Sequence, residues 1–168
     1  MENIINNFRK LGYKVPNIVI KSIDTFNNDG LMNDFAPMGS DNNKPIIYID
    51  KDLDNNIKAK NELFVHEIAH IITKGEHEDK VFRDAINKYN KAYGTKVLID
   101  PNDTYIKINF PHYYKKQELI DKIDTVKDYK KRNFILDTFR EFSKDSTLYD
   151  SIKVVEDMIK KANSSFNY

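Results

Sequence analysis

Ile4, Ile5, Phe8 and Leu11 fall on one stripe of a helix, with polar positions between them and Gly12 placed to end it. The pattern then changes period. Asn17 to Asp24 is β-branched and reads as a strand, Asn28-Asp29-Gly30 is a turn signal, and Leu31 to Met38 predicts a weaker strand interrupted by Pro37. Gly39 to Asn43 reads as a second loop. Pro45 to Asp50 is a short, strongly apolar strand in which proline suits only the first position. A small sheet of three strands is therefore expected after one helix.

A helix is predicted from about Asn56 to Lys74, with Gly75 to end it. Leu63, Phe64, Val65, Ile68, Ala69, Ile71 and Ile72 point almost all round its C-terminal half, the mark of a helix buried on most sides. A second helix spans about Glu78 to Tyr93, with Val81, Phe82, Ala85, Ile86 and Tyr89 on its stripe and Gly94 after it. Val97 to Ile99 and the alternating run Thr104 to Phe110 flank Pro101-Asn102-Asp103 and predict a β-hairpin. Three amphipathic helices follow near 115–129, 131–143 and 147–163. No repeat, low-complexity tract or obvious linker divides the chain. The expectation is one α+β domain over 1–168: a core over 1–94, then a hairpin and helical extension over 95–168.

Composition narrows the chemistry. The 168 residues carry 27 basic and 26 acidic side chains, so a protein that coats polyanions generally is excluded. Cysteine is absent, which removes disulfides, thiol nucleophiles and cysteine-held metals. A catalytic metal would have to be held by histidine and carboxylates. The first residues lack an apolar leader core and no apolar run approaches a spanning helix, so the expected location is cytoplasmic, with no membrane partner.

Three of the four histidines lie within twelve positions, two of them bracketing a glutamate in His66-Glu67-Ile68-Ala69-His70. Four residues advance a helix by about 400°, so the two imidazoles project from one face a turn apart and can reach one zinc ion. Glu67 lies beside that face. It can hydrogen-bond a metal-bound water without ligating, take its proton as it attacks a carbonyl, and deliver that proton to the leaving amine. Buried among Leu63, Phe64, Ile68 and Ile71, two histidines and a glutamate need strong partners, and a metal supplies them. For the third ligand the spacing leaves His77, turned back through Gly75, or a later carboxylate: Glu118, Asp137 or Glu141. Either choice leaves a fourth position for water.

The stretch HEIAHIITKGEHEDKVF resembles the zincin metallopeptidases, and within them the SprT/Spartan-like and WLM groups. The resemblance implies a zincin-like fold, with a small mixed sheet packed on the HExxH helix, and one zinc ion. It implies His66, His70 and His77 as ligands, Glu67 as general base and Phe82 as the aromatic beneath the site. The spacing to the third histidine is one residue longer than in the WLM type, and the absence of cysteine rules out the zinc ribbon that often follows SprT domains. NFILDTFREFSKD (133–145) also resembles the glutamate-bearing helix of lethal-factor-type and Pro-Pro-endopeptidase-type gluzincins, with Asn133 in the place of the ligand glutamate.

Other features carry less. His112, Tyr113 and Tyr114 are candidates for oxyanion stabilisation or for a packed aromatic loop. Pro45–Asp50, or its neighbour Leu31–Met38, is a candidate edge for an extended peptide. Lys115, Lys116, Lys122, Lys127, Lys130, Lys131 and Arg132 interleave with Asp121, Asp124 and Asp128, which favours a solvated helix face over nucleic-acid binding. The expected function is a zinc endopeptidase acting on protein or peptide substrates. The alternatives are a gluzincin with a carboxylate ligand and a non-catalytic metal-binding interaction module.

Overall fold

The computed structural model describes residues 1–24, 36–145 and 148–164. Helix α1 (Glu2–Lys10) turns Ile4 and Phe8 inward. Strands β1 (Val19–Ile23), β2 (Met38–Asp41) and β3 (Ile46–Asp50) form one mixed sheet in the order β1-β3-β2. β3 runs parallel to β1, with Val19 opposite Ile46, and antiparallel to β2, with Met38 opposite Ile49. The central place of β3 follows from its composition, since Ile47, Tyr48 and Asp50 are all buried. Pro45–Asp50 is thus not an edge. The outer strand packed against the next helix is β2, whose Gly39–Asp41 part lies in the Gly39–Asn43 stretch expected to be a loop, while Asn42 and Asn43 do turn. The turn expected at Asn28–Gly30 and most of the strand expected over Leu31–Met38 lie outside the described residues.

Helix α2 (Ile57–Thr73) starts where the Asn56 side chain accepts a hydrogen bond from the Ala59 amide. It ends at Lys74, whose left-handed conformation (φ 53°) reverses the chain. Gly75 was the expected terminator, but the residue before it makes the turn. Gly75 serves the close approach that follows: a β-carbon there would lie 3.2 Å from Phe82 Cβ, Val81 Cγ2 and Thr73 Oγ1. Helix α3 (Lys80–Tyr93) buries Phe82, Ala85, Ile86 and Tyr89 and stops at Gly94 in the left-handed region. Val81, placed on that stripe from the sequence, is exposed.

The expected hairpin is not formed. Residues 95–102 are irregular and α4 (Asp103–Asn109) is a helix, opened by Asn102, whose side chain accepts from the Tyr105 amide. Ile106 and Phe110 are buried one turn apart while Ile108 is 72% exposed. The apolar residues fit a period near four better than two, and the cap decides between them. Helices α5 (Pro111–Asp124), α6 (Tyr129–Asp145) and α7 (Leu148–Ser164) complete the chain.

Two apolar clusters result. The first gathers Phe8, Ile47, Leu63, Ile68, Phe82 and Phe110 around α2. The second gathers Leu119, Ile123, Val126, Phe139 and Val155 among α5, α6 and α7. Helix α5 belongs to both, through Tyr113 and Leu119. A buried ion cluster fastens it to the sheet: Lys116 Nζ lies 2.8 Å from Asp52, 3.2 Å from Asp50 and 3.3 Å from Asp24, at the C-terminal ends of β3 and β1. Lys116 was expected on a solvated face but is 2% exposed. Burial opposes its charge, yet the three carboxylates together raise its pKa above the ordinary lysine value.

Candidate metal centre

Helix α2 delivers His66 and His70 from one face, and the reversal at Lys74 brings His77 back over them. His66 Nε2 lies 3.1 Å from His70 Nε2 and 3.1 Å from His77 Nε2. An ion bound tetrahedrally with bonds of about 2.05 Å sets its ligand nitrogens about 3.3 Å apart, so the two distances from His66 match a metal set to within a few tenths of an ångström, and all three ligand atoms lie within 4.8 Å of one another.

The other ring nitrogens explain the orientation. His66 Nδ1 donates to the Leu98 carbonyl at 3.1 Å and His70 Nδ1 to the Gly75 carbonyl at 2.7 Å. Carbonyl oxygens only accept, so the proton of each neutral ring sits on Nδ1 and Nε2 carries a lone pair. His77 Nδ1 faces Asp100 Oδ1 at 3.6 Å. The Nε2 lone pairs of His66 and His70 therefore face each other at 3.1 Å, which is repulsive without a cation or a proton between them. Burial holds His66 neutral and pushes its pKa down to about 3, with His70 acting in the same sense. Burial likewise lowers that of His70, against the Gly75 hydrogen bond. Neutral imidazoles are the ligating form. Phe82 stacks on the His70 ring (4.1 Å between centroids, 20° between planes) and meets the His66 ring edge-on.

Glu67 is 7% exposed. Burial pushes its pKa up to about 8; a hydrogen bond with Ser40 on β2 lowers it and the charge of Glu76 raises it. Glu67 and the three histidines line one cleft of about 270 Å³, walled by Pro37 and by Met38 and Gly39 of the outer strand on one side and by Asp100, Pro101 and Asp103 on another. Two larger hollows, of about 420 and 560 Å³, contain none of these groups, so volume alone does not locate the chemistry.

Among the described residues, the group able to hold a metal is His66, His70 and His77, and no carboxylate belongs to it. Asp137 lies 3.8 Å from Arg140 with its side chain 71% exposed, Glu141 is exposed, and neither lines the cleft; nor does Glu118. His112 pairs with Asp54 at 2.6 Å, Tyr113 is buried in the core and Tyr114 lies under Lys107, so none of the three reaches the cleft. Sequence reasoning did not find the Leu98 and Gly75 carbonyls, Ser40, Asp100, Asp103 or Gln117. Backbone acceptors leave no side-chain signal. Asp100 and Asp103 stand in a visible turn motif, but no periodicity links them to position 66. No helix among the described residues is long and apolar enough to cross a membrane. No family model, curated protein or solved structure matches the chain.

Proposed function

We propose that the chain is a zinc-dependent endopeptidase of the zincin type, with His66, His70 and His77 as ligands and Glu67 as general base. One observation carries the reading: the ring nitrogens of three buried or half-buried histidines lie within 4.8 Å of one another, two of them 3.1 Å from the third, beside a buried carboxyl, in an open cleft. A set of neutral imidazoles suits zinc, and three protein ligands leave a position open, as in catalytic sites. When bound, the ion would supply Lewis acidity, polarising a peptide carbonyl and acidifying water towards a pKa of about 7.

The protein's own residues do the rest. Leu98 and Gly75 hold two imidazoles in the ligating tautomer, and Asp100 faces the third. Phe82 closes the floor behind the rings. In its ionised form, which the charge of a bound dication would favour against the burial that raises its pKa, Glu67 would accept the proton of the attacking water and return it to the departing amine, and Ser40 holds that carboxyl from the strand side. The test is Glu67→Gln. Zinc content should stay at one ion per chain while cleavage of a peptide library falls by 100-fold or more, the scale of a positioned general base. Cleavage surviving at wild-type rate would remove Glu67 from the mechanism. A wild-type protein that binds zinc yet cleaves no library member would leave the non-catalytic metal module as the reading.

A further inference from the structure

The cleft's charge is one-sided. Its lining includes Glu67, Asp100 and Asp103 and no lysine or arginine. Asp100 and Asp103 stand on the wall that also positions the ligands, since the same segment supplies the Leu98 carbonyl to His66. Asn102 caps α4 between them and places Asp103 in the helix's first turn. Both carboxylates are exposed at the cleft mouth, and neither is in an ion pair with lysine or arginine among the described residues. The loop carrying His77 adds Glu76, Glu78 and Asp79 against one lysine, Lys74, all exposed.

A dication on the triad would be matched in charge by Asp100 and Asp103 alone, and the exposed Glu76, Glu78 and Asp79 of the neighbouring loop, set against its one lysine, Lys74, leave the surroundings net anionic. A peptide lying between the outer strand β2 and the 98–103 wall turns alternate side chains towards that wall. A cationic side chain there meets two carboxylates; an anionic one meets like charge without a compensating partner. Resting on the peptidase reading above, we propose that the enzyme selects substrates with a lysine or arginine close to the scissile bond, its side chain against Asp100 and Asp103. Two exposed carboxylates at about 6 Å and an effective dielectric constant of about 40 give a preference of roughly tenfold or more over a neutral residue.

The experiment uses the zinc-loaded full chain and quenched-fluorescent peptides in which Lys, Gln or Glu is walked through the three positions on each side of the cleaved bond. At low salt, one position should favour Lys over Glu by at least tenfold in kcat/KM, and 0.5 M NaCl should shrink that ratio several-fold. Asp103→Lys should flatten or invert it. Equal rates for the three residues at every position, or a lysine preference that Asp103→Lys leaves intact, would overturn the proposal. Binding of the Lys and Glu peptides to the Glu67→Gln protein, read by fluorescence anisotropy, tests the same wall without turnover and should show the same order. If peptides bind in that order but wild type cleaves none, the endopeptidase reading fails and the charge preference stands. If cleavage occurs without charge preference, the inference fails and the endopeptidase reading stands.

Discussion

Replacing His77 with alanine removes one of three convergent nitrogens and little else. The ring is half-buried, and its near neighbours are His66, His70, Phe82 and Asp100. The metal-free variant should therefore lose no more than about 1 kcal/mol of stability, the ordinary cost of a partly exposed substitution. The effect on metal is much larger. Four-ligand zinc sites in small domains bind with about 10–16 kcal/mol, near 3 kcal/mol per ligand, so deleting one of three imidazoles should weaken zinc about 100-fold. At free zinc about 1,000 times the wild-type Kd, the wild type gains about 4 kcal/mol, while the variant, at about 10 times its own Kd, gains about 1.4 kcal/mol. For a chain of this length each kcal/mol moves Tm by about 2–4 °C, so zinc should raise wild type by about 8–16 °C and His77→Ala by about 3–6 °C. Calorimetric scans with and without zinc, paired with competition against a chromophoric chelator, measure both quantities. An unchanged Kd and an unchanged zinc-induced shift would refute the triad. Loss of binding in Glu118→Ala or Glu141→Ala instead would move the third ligand to a carboxylate.

Asp100→Asn should lower zinc affinity about tenfold, the low end for a ligand's supporting group, because the Asp100 carboxylate is exposed and 3.6 Å from His77 Nδ1; chelator competition measures it. Gly75→Ala places a methyl group 3.2 Å from Phe82 Cβ and Val81 Cγ2, so urea denaturation should show a loss of about 1–3 kcal/mol, and the displaced carbonyl should weaken zinc as well. Lys116→Met withdraws the cation from the buried Asp50 and should cost about 3 kcal/mol, the lower bound for a broken buried pair because Lys51 still lies near Asp24 and Asp52. Since the folded-state pKa of Lys116 is raised, its contribution is complete below the unfolded lysine value of about 10.4 and is lost as pH rises through the folded one. The stability gap between wild type and Lys116→Met, followed by denaturation from pH 7 to 11.5, should stay constant to about pH 10 and then close. A gap that closes instead on acidification towards pH 6 would contradict the assignment.

What the chain determines by itself is local. The i,i+4 placement of His66 and His70 needs only the pitch of a helix, and the apolar residues around Leu63 to Ile72 announce that this helix is buried. The α+β class, the first helix, the Pro45–Asp50 strand and the three closing helices also follow from short-range periodicity. Tertiary packing decided the remainder. The run from Thr104 to Phe110 satisfies two periods at once, and burial of Ile106 with Phe110, together with the Asn102 cap, selected the helix. His77 joins the triad because Lys74 adopts a left-handed turn and Gly75 can lie against Phe82. The Leu98 carbonyl that orients His66 lies thirty-two residues from it. Such contacts form only once α3 has packed on α2 and brought the 94–103 segment back across the helix. Their geometry depends on how the intervening residues fill space, a property of the whole core that no local spacing encodes.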